Sequence, residues 1–443
     1  MRVVIVGGGA DGSYLTRRLS AEGEDVTLVE VDRERAARLR DEVDAMVIAG
    51  NGASPTVLRR ANIENADLLI AVSDNDGANI VACQAAAKLG VPRTVARIED
   101  RELRLVAPSL GLESVIDSRE STGRNLVRLV KHSGVSDLIE FGERQLMVAG
   151  GIIQPHAPIV GQSLRELRRT LDGWDCVVAA VVRDGEAIIG RGDTTMKPFD
   201  QTLIAVPSAD VDRAIEMMGL RHEPIQRVVI VGISRVAAVA SELFVDAGYD
   251  VVVVDSHADW CRSFAERHPE VEVVIGNRTD PATFRSVGVT SGDAVLGMTL
   301  RDEINILACL IGDALGASLT IARYHRISLF GLVPRTGIDA TVSSRLAAAN
   351  TVLRFVRRGR ILSAATFMYS DLEALEIEMD PDSDAAGSRI ADLPLPKDAV
   401  IGGILHNGKG VVPTGDTRLH AKDRVVVLTL PAAIHGVESL FAS

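Results

Sequence analysis

The sequence is poor in aromatic residues and has no dense basic segment. Only 3% of its residues are Phe, Trp or Tyr, and 60 acidic against 48 basic residues leave a net charge of −12. Proteins that bind nucleic acids need clustered Lys and Arg to neutralise phosphates, and single-strand binders also need aromatic rings on which bases stack. We therefore expect no nucleic-acid partner.

Cysteines are also few, and long apolar segments are missing. The four cysteines are scattered without a Cys-x-x-Cys motif, which argues against a disulfide framework and agrees with a reducing compartment. The chain opens with four apolar residues before a glycine cluster, whereas a signal peptide needs about 7–15 and a membrane helix about 20. The sequence thus predicts a cytoplasmic protein without a membrane span.

The chain contains an internal repeat. It has 443 residues, 47% of them hydrophobic, which is too long for one ordinary domain of roughly 100–200 residues. Residues 3–7 (VVIVG) reappear as 228–232, and matched positions continue in register from Gly50-Asn51 with Gly276-Asn277 to Arg119 with Arg345. Such a register indicates two copies of one module, joined near residues 222–224.

Each module divides into two parts. In the first part, short β-branched runs alternate with helix-like stretches, as in a parallel sheet with crossover helices. The second part has short strands broken by Asp184-Gly185 or Asn407-Gly408 turns, with a helix near 164–171. The predicted fold class is α/β, with two tandem Rossmann-like doubly wound parallel-sheet domains, each followed by a small α+β domain. The expected domains are 1–120, 143–221, 225–346 and 371–443.

Two helical stretches, 119–131 and 345–358, connect the parts of each module. Each has its apolar residues near one face. A connecting helix packed on its own domain and a helix shared with a second copy explain this pattern equally well.

A glycine-rich loop lies between the first strand and the first helix. Its residues are Gly7, Gly8, Gly9, Ala10, Asp11 and Gly12. In a G-x-G-x-x-G loop the first glycine permits a tight turn, the second lets the backbone approach a pyrophosphate, and the third lets helix and strand pack closely. Glu30, at the end of the second strand, would accept hydrogen bonds from ribose hydroxyls and repel a 2′-phosphate, which favours NAD or an adenine nucleotide. The alternative is a turn in an unliganded domain.

Three further positions recur in both modules after the carboxyl ends of strands, where open α/β sheets bind ligands. They are Asn51 and Asn277 after the third strand, Ser73-Asp74 and Thr299-Leu300 after the fourth, and Arg97 and Arg323 at the end of the fifth. A left-handed turn could also explain the asparagines, and helix capping could explain the fourth-strand residues. An arginine beside a phosphate site is harder to explain by packing.

The second module departs from the glycine pattern. Its loop residues are Gly232, Ile233, Ser234, Arg235, Val236 and Ala237, and its acidic residue is Asp255. Ser234 and Ala237 replace glycines, while Arg235 adds a cation, so we expect a more highly charged ligand there, or none. In the first module Asp11 places an anion beside the expected phosphates, at a cost of about 1–4 kcal/mol at 4 Å unless a cation bridges them.

No catalytic or metal-binding constellation stands out. The nine histidines are scattered without H-E-x-x-H spacing, and no proton-transfer group of the kind that a nicotinamide dehydrogenase needs accompanies the glycine loop. We predict no metal site and no enzymatic activity. An NAD-dependent oxidoreductase is the weaker alternative.

The duplicated modules, with their glycine loop, acidic strand end, Gly-Asn and Ala-Arg motifs, resemble the TrkA family. These are nucleotide-binding regulators of Trk potassium uptake, built from tandem RCK (KTN) modules. The resemblance covers nearly the whole chain and implies a cytoplasmic subunit, peripheral on the inner face of the membrane, whose regulatory ligands are NAD(H), ADP or ATP. It also implies a homo-oligomer, a tetramer by resemblance, that controls an integral potassium-translocating subunit of the TrkH or TrkG kind.

The resemblance also implies which residues line the nucleotide sites. These are Gly7, Gly8, Gly9, Ala10, Asp11, Glu30, Ser73, Asp74 and Arg97 in the first module, and Gly232, Ile233, Ser234, Arg235, Val236, Asp255, Thr299, Leu300 and Arg323 in the second. The ligand-gated ring of a different cation channel or transporter shares all these features and is the main alternative.

Overall fold

The structure, a computed structural model, describes residues 1–112, 114–171, 174–220, 224–326, 336–356, 361–367 and 372–441.

The first part of the chain forms a six-stranded parallel sheet. The first elements are β1 (Arg2–Val6), α1 (Ala10–Ala21), β2 (Asp25–Glu30), α2 (Arg33–Glu42), β3 (Met46–Ala49), α3 (Pro55–Arg60), β4 (Leu68–Ala71), α4 (Asp76–Lys88), β5 (Thr94–Arg97), α5 (Arg101–Val106), β6 (Val115–Ile116) and α6 (Ser118–Lys131).

The strand order is β3-β2-β1-β4-β5-β6. Every pairing is parallel, and β4 is buried along its whole length, as expected for strands covered by helices on both faces. The order reverses between β1 and β4, so loops on the two sides diverge there and leave a crevice at the carboxyl ends of the strands.

A five-stranded antiparallel sheet follows, in the order β10-β9-β11-β8-β7. Its elements are β7 (Asp137–Phe141), β8 (Leu146–Ile152), α7 (Leu164–Thr170), β9 (Val177–Arg183), β10 (Glu186–Ile189), β11 (Gln201–Pro207) and α8 (Val211–Met217). The sheet begins with β7, before residue 143, where we expected the small domain to start. The sequence did not predict β7, because this strand follows soon after the connecting helix and contains polar residues.

The second module repeats both sheets. Its elements are β12 (Arg227–Val231), α9 (Arg235–Asp246), β13 (Asp250–Asp255), α10 (Ala258–Arg267), β14 (Glu272–Ile275), α11 (Pro281–Val287), β15 (Asp293–Gly297), α12 (Asp302–Ala314), β16 (Leu319–Arg323), β17 (Ala340–Val342), α13 (Ser344–Val356), β18 (Ile361–Thr366), β19 (Glu373–Glu378), β20 (Ala399–His406), β21 (Lys409–Val411), β22 (Arg424–Thr429) and α14 (Ile434–Phe441).

The strand orders of the second module match those of the first. They are β14-β13-β12-β15-β16-β17 and β18-β19-β22-β20-β21, so the predicted fold class is confirmed. The small sheet again starts before the expected boundary, at Ile361 instead of residue 371. Of the expected junction between the modules, residues 222 and 223 lie outside the described residues.

Both predicted hairpin turns are confirmed. Asp184 and Gly185 have φ angles of 53° and 87°, and Asn407 and Gly408 have φ angles of 52° and 77°. Two consecutive positive φ angles define the type I′ turn, which Asn-Gly and Asp-Gly favour.

The chain forms two compact units. One contains Met1–Ser121 with Ser344–Arg357, and the other contains Thr122–Ser343 with Arg358–Ser443. In the first unit α13, from the second module, packs against α1. In the second unit α6 packs against α9 so closely that a Cβ on Gly123 would lie 2.8 Å from Leu243 Cδ1. Each connecting helix therefore packs on a helix of the other module.

All four cysteines are buried and unpaired. Burial raises the pKa of Cys83, Cys176 and Cys309 to about 12, so these side chains stay as thiols at neutral pH. Within the described ranges, no helix combines the length and the apolar character that crossing a bilayer requires.

Candidate functional site

The glycine loop of the first module makes a tight turn from β1 into α1. Gly7 has a φ of +104°, and a Cβ there would lie 2.7 Å from the backbone nitrogen of Ser73. A Cβ on Gly12 would overlap the carbonyl oxygen of Gly7, whereas a Cβ on Gly9 would meet no atom within 4 Å. Gly7 and Gly12 are therefore required by the fold itself, while the position of Gly9 leaves room for a ligand.

The carboxylate of Glu30 holds this loop from below. Its side chain is 3% exposed and accepts hydrogen bonds from the backbone N–H of Gly8 at 2.6 Å and of Asp32 at 2.8 Å. The guanidinium of Arg35 lies 3.8 Å from the same carboxylate. Glu30 therefore has a structural role beside the role in ribose binding that the sequence suggested.

No side chain caps the N-terminus of α1. The N-cap residue is Gly9, which makes no side-chain hydrogen bond, so the first-turn N–H groups of this helix have no capping partner. Such groups carry a partial positive charge and bind anions. In the second module, by contrast, Ser234 Oγ accepts a hydrogen bond from Ala237 N at 3.2 Å and so caps α9.

Arg97 connects three loops of the first module. Its side chain is 9% exposed and forms ion pairs with Asp11 on α1 and, at 2.7 Å, with Asp74 after β4. It also donates to the carbonyl oxygen of Ser73 at 3.0 Å. The end of β5 thus brings a cation to the carboxylate of Asp11, which is the condition under which we expected the repulsion between Asp11 and a phosphate to be relieved.

A buried asparagine fixes the position of Arg97. Asn79, on α4, accepts hydrogen bonds from Ser73 N at 3.0 Å and Ser73 Oγ at 2.7 Å, and donates to the carbonyl oxygens of Ser73 at 2.9 Å and Arg97 at 2.8 Å. In the first module Asn75, and not Ser73 or Asp74, caps α4, so capping does not explain these two residues there. The side-chain amide of Asn79 ties the end of β5 to the loop after β4.

The asparagines after the third strands accept hydrogen bonds from the turns that follow them. Asn51 Oδ1 accepts a hydrogen bond from Ala53 N at 2.9 Å, and Asn277 Oδ1 accepts one from Thr279 N at 3.0 Å. Neither residue has a positive φ, so the left-handed turn proposed for them is wrong. Their side chains instead stabilise the turns that lead into α3 and α11.

Two adjoining cavities, of about 390 and 400 Å³, lie over the glycine loop. The first is lined by predicted residues, among them Gly7, Gly9, Glu30, Asn51, Ser73 and Asp74. The second is lined by Gly8, Gly9, Ala10 and Asp74, but also by Arg35 and Arg38 of α2, which the sequence analysis missed. Their signal was two cations three residues apart in the helix that follows Glu30.

The second-module loop has the same frame with different chemistry. Ile233 N donates to Asp255 Oδ2 at 2.9 Å, as Gly8 does to Glu30. Burial tends to raise the pKa of Asp255, but hydrogen bonds from Ile233 and His257 outweigh it, so the pKa is lowered. Ser234 Oγ also donates to Met298 O at 2.8 Å. The hydroxyl of Ser234 thus connects the loop after β15 with the first turn of α9, whereas Gly9, at the equivalent position of the first module, has no side chain that could do so.

Among the remaining second-module residues, some repeat the contacts of their first-module counterparts and others do not. Asn305 repeats the role of Asn79, with hydrogen bonds to Thr299 and to the carbonyl oxygen of Arg323 at 2.7 Å. Leu300 is exposed where the first module has Asp74, so Arg323 lacks the counterpart of that carboxylate. Arg235 is exposed and Val236 is buried at the start of α9.

Comparison with known proteins shows which family shares this architecture. The family model described as the TrkA-N domain matches residues 3–118 and 228–344, and that of the TrkA-C domain matches residues 152–219 and 374–442. The Trk system potassium uptake protein TrkA of Azorhizobium caulinodans is 32% identical over 451 residues, covering 100% of this chain and 98% of the relative. TrkA of Halomonas elongata is 28% identical over 458 residues, covering 100% and 98%.

Solved structures share the fold. The GsuK channel bound to NAD matches with a TM-score of 0.61 and 18% identity, covering 99% of this chain and 78% of that chain. GsuK bound to ADP matches with a TM-score of 0.52 and 14% identity, covering 80% and 69%. With both TrkA domain models matched twice, and a relative above 30% identity along its full length, the chain belongs to the TrkA family of Trk system potassium uptake proteins.

Proposed function

We propose that this protein is the nucleotide-sensing regulatory subunit of a Trk-type potassium uptake system. It would bind NAD(H), ADP or ATP in the first module and control a membrane-embedded potassium-translocating subunit of the TrkH or TrkG kind. The observation that carries the proposal is the uncapped N-terminus of α1 beside a cavity of about 390 Å³. The full-length similarity to proteins named TrkA supports the choice of system.

The residues of the first module suit an adenine dinucleotide or nucleotide. The first turn of α1 offers backbone N–H groups to a pyrophosphate, and the space that a side chain on Gly9 would take is open. Glu30 and Asn51 line the same cavity and offer polar atoms to a ribose or a base. Arg35 and Arg38 add positive charge at its second compartment.

Sensing would use the ion pairs of Arg97. A phosphate near the start of α1 would compete with Asp11 and Asp74 for this guanidinium, because these two carboxylates already pair with its two terminal nitrogens. Ligand charge would then decide whether α1, the loop after β4 and the end of β5 remain linked. Because NAD(H) and ATP differ in charge, they would have different effects on the contacts between these loops.

For the second module we propose a ligand of higher charge than NAD, or none. Ser234 caps α9 and closes its loop, and a Cβ at the equivalent of Gly12 is already present as Ala237. Arg235, at the start of α9, is the residue that would favour ATP.

The assembly that we propose is a homotetramer on the inner face of the membrane. Rigid modules that move against one another can convert ligand binding into work on a membrane protein. The domains are proposed as 1–120, 143–221, 225–346 and 371–443, with the small domains extended to include β7 and β18. Purified protein should scatter light as a tetramer, and a monomer at micromolar concentration would contradict the ring.

A second candidate is the regulatory ring of another cation channel. The fold likeness to GsuK, whose structures are titled as a channel bound to NAD and to ADP, favours this alternative. A nicotinamide oxidoreductase is less well supported, because the relatives carry the names of uptake proteins. Oxidation of NADH that depends on an added substrate would identify such an enzyme.

Potassium uptake separates these candidates. A host strain without this protein should lose uptake, and wild-type protein should restore it, while Gly9→Ala should not, because its methyl group occupies the phosphate position. Gly192→Ala, in the small domain of the first module, serves as the glycine control, because its φ is not positive and an added Cβ would lie no nearer than 3.4 Å to its neighbour, Arg165 Nη2. Co-purification with a different integral protein, or unchanged uptake in the deletion strain without a second copy, would contradict the Trk assignment.

A further inference from the structure

Two histidines and one aspartate meet in the small domain of the second module. His406 ends β20, and His420 and Asp423 lie in the loop before β22. His406 Nδ1 is 2.7 Å from Asp423 Oδ1, and His420 Nδ1 is 3.6 Å from Asp423 Oδ2. One donor atom from each residue lies within 4.8 Å of the other two. No local spacing in the sequence reveals this group, because β21 and a loop separate the two histidines.

The backbone holds the group in place. The carboxylate of Asp423 is 4% exposed, and it accepts a hydrogen bond from His420 N at 2.8 Å. In return Asp423 N donates to the carbonyl oxygen of His420 at 3.0 Å. The imidazoles are 45% and 59% exposed, so the group lies at the surface of the domain, and His406 Nε2 is also 3.0 Å from Asn407 Nδ2.

The first module shows what the same position does without histidine. Asp200 is the repeat counterpart of Asp423, and it accepts the same type of backbone hydrogen bond from Lys197 N at 2.8 Å. Its carboxylate is paired at both oxygens with the guanidinium of Arg183, at 2.8 and 2.6 Å. The second module thus keeps the loop and the carboxylate but replaces Arg and Lys by two imidazoles. A permanent cation gives way to two metal-ligating nitrogens.

We propose that His406, His420 and Asp423 bind one divalent transition-metal ion, of the Zn²⁺ type. Two imidazoles and a carboxylate are a common set of three protein ligands for zinc, with water as the fourth. Nitrogen donors favour such metals over Mg²⁺ and Ca²⁺, which require oxygen-rich sites. The metal would lie between His406 and Asp423, where a hydrogen bond now connects them. In the first module the guanidinium of Arg183 binds the equivalent carboxylate, that of Asp200.

The metal would connect two neighbouring strands that contact the other small domain. Leu405, next to His406, packs where a Cβ on Gly142 would be, in the β7–β8 turn. Near the same turn Arg424, next to Asp423, lies 3.7 Å from Glu143. Metal bound to His406 and Asp423 therefore joins the two strands, β20 and β22, whose neighbouring residues make this contact.

The test is a zinc titration of the full-length protein after metal removal by a chelator. Wild type should bind one Zn²⁺, and His406→Arg should bind it with at least tenfold lower affinity. His406→Arg recreates the pairing of Arg183 with Asp200, so its melting temperature in chelator should equal that of wild type. His435→Ala is the matched control, because His435 lies in the same domain next to Glu438, and should bind zinc like wild type.

A second variant guards against local disruption by arginine. His420→Asn keeps the backbone hydrogen bond to Asp423 and should also weaken Zn²⁺ binding at least tenfold. Co²⁺ in the wild-type protein should give the visible absorption of a four-coordinate site, and both variants should lose it. Equal zinc affinity in wild type and both variants, or no zinc binding by wild type, would overturn the proposal.

Discussion

The guanidinium of Arg97 determines the electrostatics of the first-module site. Its terminal nitrogens, Nη1 and Nη2, pair with the carboxylates of Asp11 and Asp74, so we expect a phosphate that binds these nitrogens to displace at least one carboxylate. The side chains of Arg97 and Asp11 are only 9% and 13% exposed, and a largely buried pair contributes little net stability but costs much when one partner is lost. We therefore expect Asp11 to weaken nucleotide binding and, at the same time, to stabilise the free protein.

Replacing Asp11 separates these two effects. Asp11→Val should tighten binding of ATP about tenfold, equivalent to about 1.4 kcal/mol, because one competitor for Arg97 disappears. The same variant should unfold more readily by about 1–3 kcal/mol without ligand, since Arg97 loses a buried partner. Isothermal titration and thermal unfolding measure the two changes. Asp11→Asn, which keeps the hydrogen-bonding shape without the charge, should show the affinity gain with a smaller loss of stability.

If Asp11→Val weakens nucleotide binding, the carboxylate contacts the ligand or holds a cation for it. In that case Asp11 would support nucleotide binding instead of opposing it.

Two glycines of the same loop should respond in opposite ways to an added methyl group. Gly9→Ala meets no atom within 4 Å, so the variant should fold like wild type but lose nucleotide affinity. Gly12→Ala places its Cβ on the carbonyl oxygen of Gly7, and such overpacking should lower stability by about 1–3 kcal/mol. Melting temperature and nucleotide titration of both variants check this. If Gly9→Ala and wild type had equal nucleotide affinity, the hypothesis that this loop binds the phosphate would be wrong.

At the scale of elements, buried polar side chains join the loops at the sheet edge. Asn79 and Asn305 cross-link the loop after the fourth strand to the end of the fifth in each module. Asp302, at the start of α12, similarly accepts hydrogen bonds from His325 N at 2.9 Å and Arg326 N at 3.0 Å. These bonds give the ligand-facing loops fixed positions.

Asp302 should make the second module sensitive to acid. Burial tends to raise its pKa, but hydrogen bonds from His325 and Arg326 outweigh this effect and lower it. A carboxylate with a lowered folded-state pKa stabilises the protein above its unfolded pKa, about 3.9, and loses this effect as pH falls through the folded value. Wild type should therefore exceed Asp302→Asn in its urea midpoint at about pH 5, and the difference should shrink at about pH 3. A difference that does not depend on pH would contradict the carboxylate role.

Local sequence patterns predicted the elements well but not their partners. Consecutive buried residues such as Leu68–Ala71 and the glycines at 7 and 12 carry their structural reasons in the sequence itself. The pairing of Asp11 with Arg97 joins residues far apart in the chain, which no local spacing encodes. The apolar faces of 119–131 and 345–358 likewise predicted helices that pack, but an apolar stripe does not specify which surface covers it.

At the scale of the whole molecule, the duplication has produced two different modules. The first has an uncapped α1 and an open loop, and the second has α9 capped by Ser234 and its loop closed by the same hydroxyl. The small domains differ in the same manner, since Arg183 pairs with Asp200 where His406 pairs with Asp423. The two modules therefore present different side-chain chemistry on one backbone plan.

Nucleotide titration of the intact protein tests the central claim most directly. NAD(H), ADP and ATP should be added separately to wild type and to Gly9→Ala, with thermal stability as the readout. At a hundredfold excess over Kd the ligand should stabilise wild type by about 2.7 kcal/mol, Gly9→Ala should gain much less, and NADH should not be consumed. No stabilisation of wild type by any of the four nucleotides, or equal stabilisation of both proteins, would contradict a nucleotide-sensing site at the start of α1.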